Sequence, residues 1–457
     1  MSYLKKEKKL NHIKMKEIKK IILLILIISI KSDETIDFSS LSSGTGYTVS
    51  DNTVTISTAG TYTLKGTNTN KSILVSSAST LILDSLTLTS SGTLTPLIID
   101  SSNSVTMTLS GTSTLTDSSS NENEGVIYLK SGASLTISGD GTLNINPNKN
   151  MAINGTSSTS LTVNGGNIKV TSSSSGVGGI YLRKEITFND GTYTYSATSG
   201  TKHAIDSEGN INIIKGTYTL NSGNGKGIQS EKYLYLGKDG SANSDLVIDI
   251  DCSNEAIEAE RIVVYSGTIT LDASEDGINA AGGDCDEEGA CNGNCNCYIS
   301  FSGGEIEINA GEDGLDSNGD IKITGGKIIV YGASTGADQP IDQDGQLTIS
   351  GGTLFAAGSK EMGGVSAKTS QETLSYSNTI SSGKQITITD SSNNQVLSLT
   401  NKKEIQYFYF TSSGSGFTLN LGESNGDESQ SNTIRTSSSK SNKTKSYLVL
   451  LFLLILL

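Results

Sequence analysis

The sequence predicts an all-β protein, a right-handed parallel β-helix of about a dozen rungs with a C-terminal β cap. Three observations predict it. Ile, Val, Leu and Tyr alternate with polar residues along most of the 457-residue chain, the period-two signature of strands buried on one side. A two-strand unit with Gly at its centre recurs many times. Aromatic residues make up only 5% and Trp is absent, as suits a thin core rebuilt in every repeat. The abundance of Gly, Ser, Thr and Asn alone would suit a disordered tract, but the sustained alternation excludes that reading.

The chain opens on a Lys-rich stretch, Lys5 to Lys20, followed by apolar Ile21–Ile30. These ten residues, apolar except for Ser29, match a signal-peptide core and are too short to span ~30 Å of hydrocarbon. A signal peptide is therefore expected over 1–32.

The repeat runs from about residue 54 to 355. Its clearest copies are "LTVNGGNIKV", "ITFNDGTYTY", "INIIKGTYTL", "IVVYSGTITL", "ISFSGGEIEI", "IKITGGKIIV" and "LTISGGTLFA". Between them stand short pieces such as "HAIDS", "EAIEA", "DGINA" and "DGLDS", centred on Ile153, Ile180, Ile205, Ile228, Ile257, Ile278, Leu315 and Ile341. Three short strands per ~25 residues make one solenoid rung. In each "I-x-A/S" piece, the Ile and the small residue point inward and the residue between them points out.

Residues 33–421 form the expected β-helix domain. The segment 386–421 breaks the period and reads as the closing strand unit, since solenoid ends need caps. Residues 422–446 read as a polar stalk and 447–457, "YLVLLFLLILL", as a hydrophobic tail. Small Ser437 and Ser438, a polar spacer and a short apolar tail together match a glycolipid-anchor signal. A secreted protein held by a lipid anchor on the outer face of the plasma membrane or cell wall is expected, with glycosylation sequons at Asn70 and Asn154. Of five cysteines, Cys285, Cys291, Cys295 and Cys297 share one loop and Cys252 lies apart. Local disulfides of undetermined pairing are expected, with one thiol left over.

The net charge is −14, and the acids fall in register with the repeat. Between Asp251 and Asp344 there are 20 acidic residues against 3 basic ones. Two places before the central residues stand His203, Lys226, Glu255, Asp276, Asp313 and Gln339. One place after stand Asp206, Gln229, Glu258, Asn279, Asp316 and Asp342. Glu275, Glu312 and Asp338 form a third column. Like charges ~4.8 Å apart in stacked rungs repel by ~3.5 kcal/mol at an effective dielectric of ~20. A counter-ion is called for, and Ca²⁺, which accepts six to eight oxygen ligands, suits such corners.

The corner motifs "EAIEA", "EDGINA" and "EDGLDS", with "ITGGKIIVYGAS" and the closing "GKQITITDSSNNQVLSL", resemble the carbohydrate-binding β-helix family of cellulolytic microbes. The likeness covers nearly all of 33–421. It implies a calcium-binding right-handed parallel β-helix that binds acidic or cellulosic plant polysaccharide. Carried over by motif, it implies metal ligands at Glu255, Glu258, Glu275, Asp276, Glu312, Asp313 and Asp316, to which the column adds Asp338 and Asp342.

The leading functional expectation is a non-catalytic polysaccharide binder. Tyr181, Tyr193, Tyr195, Tyr218, Tyr265 and Tyr331 are read as outward residues that stack on sugar rings, with Tyr181, Tyr218 and Tyr265 the chosen contacts. A calcium-dependent polysaccharide lyase acting by β-elimination is the alternative, with Lys226 as base. A surface adhesin or ice-binding rod is the third reading. No nucleic-acid partner is expected, and oligomeric state is left open.

Overall fold

A computed structural model describes residues 32–119, 124–197, 199–240, 245–282, 297–422 and 432–435. Among these residues there is no helix. Alternating side chains fold into short parallel strands that wind as a right-handed parallel β-helix of about 12 turns. The central residues form one column: Val54 pairs with Ile73, Ile73 with Leu97 and Leu97 with Ile127. The column continues through Ile153, Ile180, Ile205, Ile228, Ile257, Ile278 and Leu315, and a last bridge joins Leu315 to Ile341. Every member is buried, so one register carries the core along the rod.

The corner beside this column is narrow, and small residues fill it. Ser207, Ser230, Ala259, Ala280 and Ser317 are buried there. The Ser207 and Ser317 hydroxyls accept backbone N–H bonds from Gly209 and Gly319 at 3.1 and 3.2 Å, which satisfies polar atoms that burial would otherwise penalise. At another corner, glycines stack with positive φ, including Gly191 (111°) and Gly216 (110°). A Cβ on Gly216 would lie 2.3 Å from the Gly191 carbonyl oxygen, so both backbone angle and rung spacing demand glycine.

The ladder starts earlier than the sequence repeat. Ser32–Asp37 pairs in parallel with Gly60–Thr69, and Tyr47–Val49 folds back antiparallel on Thr53–Ile56. At the far end, Tyr407–Ser412 runs antiparallel to both Thr353–Gly358 and Glu372–Tyr376. Beside it, Gln385–Thr389, Gln395–Thr400, Thr418–Leu421 and Asn432–Arg435 form a separate antiparallel sheet. Asn432–Arg435 falls within the stretch expected as stalk. Phe355, Phe408, Phe410 and Phe417 build the cap core. Lys402 pairs with Glu307 at 2.6 Å, and Ser334 donates to the Glu404 carbonyl at 2.6 Å, fastening the cap to the flank of the helix.

Four tyrosines are not where the sequence reading placed them. Tyr193, Tyr195 and Tyr218 are inside the helix, fully buried, with their hydroxyls on the carbonyls of Ala204, Val177 and Lys215. Tyr193 and Tyr218 pair with each other and then with Ile248, an inward column. Tyr331 faces away from the helix core, but Phe355 and Phe408 of the cap region enclose it.

Candidate functional site

The columns flanking the central Ile/Leu ladder share one face of the rod. One runs Asn154, Tyr181, Asp206, Gln229, Glu258, Asn279, Asp316. Its neighbour carries His203, Lys226, Glu255, Asp276, Asp313 and Gln339. Stacking places equivalent side chains about 4.8 Å apart, so each polar group meets the rungs above and below it.

Part of this polarity holds the rungs together. His203 Nδ1 accepts the backbone N–H of Lys226 at 3.0 Å. One oxygen of Asp276 accepts the N–H of Asp313 at 2.9 Å, and one of Asp313 accepts the N–H of Gln339 at 2.5 Å. The same position thus pins the next rung's backbone three times. The second carboxylate oxygen of each Asp is not used in these bonds.

The face divides at Lys226. Its Nζ is ion-paired with Oε2 of both Glu255 and Glu258, with all three side chains largely buried. Asn279 donates to the other Glu255 oxygen at 2.9 Å. Beyond this triad, none of the corner acids from Asp276 to Asp342 is ion-paired with Lys or Arg among the described residues. Burial pushes Asp276 and Asp313 up to about 7, and neighbouring acids (Asp316 for both, Asp342 for Asp313) add to the rise. Burial raises Asp316 to about 6, with Asp342 and Asp344 contributing. Glu312 on the exposed rim is raised by burial and by Asp338 and Glu275. Asn279 Oδ1 is buried with no hydrogen-bond partner among the described residues.

The expected metal ligands therefore fall into three sets. Glu255 and Glu258 are held by lysine. Buried Asp276 and half-buried Asp313 and Asp316 form the centre. Glu275, Glu312 and Asp338 lie on the rim, and exposed Asp342 at the far end. Among the described residues, no three His, Cys, Asp or Glu side chains already converge as a metal cluster.

On the other side of Lys226 the face becomes a mixed-charge cleft of about 340 Å³, lined among others by Asn154, Tyr181, Arg183, Lys202, His203 and Asp206. Tyr181 donates to Glu208 at 2.7 Å, Arg183 pairs with the same carboxylate, and the Arg183 guanidinium lies 4.9 Å from the Tyr181 ring centre. Burial and Glu208 hold the Tyr181 hydroxyl well above its ordinary range. Burial, then the Lys226 charge, pulls His203 down to about 4, and burial pushes Asp206 up to about 7. Arg183 was not among the expected contacts, although Tyr181-Leu182-Arg183 puts both on one side of a strand.

Tyr265 is half-buried on an adjoining face. Its ring is parallel to that of Tyr235 at 6.3 Å; Tyr235 is parallel to Tyr233 at 5.4 Å, and Arg261 caps Tyr233 at 4.7 Å. Tyr233 and Tyr235 were missed, though "YLYL" is plain alternation. Cys252 is a buried free thiol, and Cys297 is disulfide-bonded. Cys285, Cys291 and Cys295 lie outside the described residues, as do residues 1–31 of the expected leader and the anchor positions Ser437 and Ser438. Asn70 is exposed with φ of 63°.

Fold and face together define a parallel β-helix with a continuous polar corner. The family model for carbohydrate-binding domain-containing proteins matches residues 50–292 and 245–401, and the chain belongs to that family. No curated protein matches the chain. Among solved structures, the chain is similar to the polysaccharide lyase-like protein from C. thermocellum, a gadolinium derivative, at 21% identity and a TM-score of 0.36, covering 65% of this chain and 97% of that one.

Proposed function

We propose that the protein is a non-catalytic, cell-surface binder of acidic plant-wall polysaccharide that uses calcium held on the acidic half of the corner face. One observation carries this reading. Buried Asp276 and half-buried Asp313 and Asp316 lie within mutual repulsion, none is ion-paired with Lys or Arg among the described residues, and the orphaned Asn279 Oδ1 shares their corner. Carboxylate and amide oxygens are the donor set that Ca²⁺ prefers.

In this reading Asp276, Asp313, Asp316 and Asn279 would hold the ion, with Glu275, Glu312, Asp338 and Asp342 around it. A bound cation would supply positive charge for uronate carboxylates, which the bare acidic corner repels. Membership of a carbohydrate-binding family supports the ligand class. The leader and the Ser437/Ser438 anchor signal support the surface location. Lys226 is engaged by two glutamates, which speaks for a counter-ion there rather than the base of a β-elimination.

The test is retention of the purified protein on polygalacturonate and on cellulose, with and without a chelator. The reading expects at least a tenfold loss on polygalacturonate when calcium is removed, and a similar loss in Asp276→Asn/Asp313→Asn. Asn keeps an oxygen for each backbone N–H while removing charge. Retention indifferent to both changes overturns the calcium reading. Absorbance from new unsaturated uronate ends would establish the lyase instead.

A further inference from the structure

The cleft on the other side of Lys226 has no part in the calcium reading, and its chemistry differs. Its wall carries the Tyr181 ring, an apolar plate with a polar edge. Arg183 and Lys202 bring two cations to it. Arg183 is shared with Glu208, whereas Lys202 has no ion-pair partner among the described residues. His203 accepts at Nδ1, so in the assigned neutral tautomer its Nε2 carries a hydrogen to donate. Asp206, the register partner of Tyr181 on the next rung, offers an acceptor beside the ring. At about 340 Å³ the cleft lies at the small end of ligand sites, roughly 300–1,000 Å³.

We propose that this cleft is a calcium-independent subsite for a single uronate residue of the polysaccharide. The sugar ring lies against Tyr181, its carboxylate meets Lys202 and Arg183, and its hydroxyls bond to His203 and Asp206. This deepens the carbohydrate-binding reading above and rests on it. A neutral sugar would satisfy the ring contact but leave Lys202 without an anion. Phosphate would satisfy the cations but leave the tyrosine plate uncovered. The column Tyr181–Asp206–Gln229–Glu258 runs straight from the cleft into the acidic half. A polysaccharide seated at Tyr181 and lying along the rod therefore passes over Lys226 and reaches the Asp276–Asp313 corner.

The experiment is calorimetric titration of the full chain, produced in a bacterial host so that Asn154 bears no glycan, in chelator and at low salt. The ligands are trigalacturonate and, as the neutral control of equal length, cellotriose. The expected result is trigalacturonate binding at least tenfold tighter than cellotriose without calcium. Lys202→Gln should weaken it at least fivefold with an unchanged melting temperature, and Tyr181→Ala by a similar factor. Tyr181→Phe, which keeps the ring, should retain most of the binding. Equal affinity for the two trisaccharides, no binding of trigalacturonate, or no response to Lys202→Gln in folded protein overturns the proposal. Asp276→Asn/Asp313→Asn, which removes negative charge from the same face, should bind trigalacturonate in chelator no more weakly than wild type. Failure here with calcium-dependent polymer retention intact would remove the subsite alone, and the reverse result would remove the calcium reading alone.

Discussion

Two halves of one corner face handle buried charge in opposite ways. In the half containing Tyr181, Arg183 and Glu208, the Glu208 carboxylate meets both a guanidinium and a phenol. In the half from Asp276 to Asp342, acid follows acid up the stack. Lys226 is the boundary, its one charge shared between Glu255 and Glu258 of the next rung. A solenoid repeats backbone geometry at each rung, so changing one side chain in a column resets the local electrostatics without altering the fold. The balanced half can bind without help, whereas the acidic half stores repulsion that an added cation relieves.

The largest effect should come from removing the boundary. Lys226→Met leaves two largely buried glutamates without their counter-ion, and breaking such a pair costs about 3–5 kcal/mol. Urea unfolding at neutral pH should show that loss, and calcium should restore part of it if the whole acidic column can share an ion. No change on substitution would mean that Glu255 and Glu258 are solvated rather than held by lysine.

A smaller effect is expected with pH. Asp276 and Asp313 are raised to about 7 from a usual carboxylate value of 3.8, and Asp316 to about 6. The folded state therefore holds protons that the unfolded state has lost, and stability falls as pH rises from about 4 to 7. His203, lowered to about 4, works the other way: its contribution is lost as pH falls from about 6.5 toward 4. The sharp readout is the difference between wild type and Asp276→Asn/Asp313→Asn in calcium-free buffer. The variant should gain roughly 2–4 kcal/mol relative to wild type between pH 4.5 and 7.5, after discounting for partial solvent exposure. A flat difference would show that solvent already screens the column.

The ladder was legible in the sequence because inward positions repeat: Ile205, Ile228, Ile257 and Ile278 fall in register as read, and the small corner residues are buried as expected. The acidic columns were equally legible, since register follows from the same centres. Tyr193 and Tyr218 were misread because parity does not carry through a glycine corner. Ile211 and Ile213 point in, and continued alternation would turn Tyr218 out. The positive-φ turn at Gly216 takes up the odd residue and turns it in. The triad at Lys226 was half legible. Its column was known, but the pairing of one lysine with two glutamates of the next rung is a cross-rung contact that needs coordinates. The cleft depends on side chains converging from several rungs, so the sequence offered Tyr181 as a sugar contact and His203 and Asp206 as column members, but not Arg183, Lys202 or their convergence.

The claim that matters most is that the acidic half is a cation site. Calorimetric titration of the chelator-treated protein with Ca²⁺ at pH 7.5 tests it directly. The account predicts saturable binding that is lost in Asp276→Asn/Asp313→Asn and retained in Lys202→Gln. Identical heats for wild type and the double variant would contradict it.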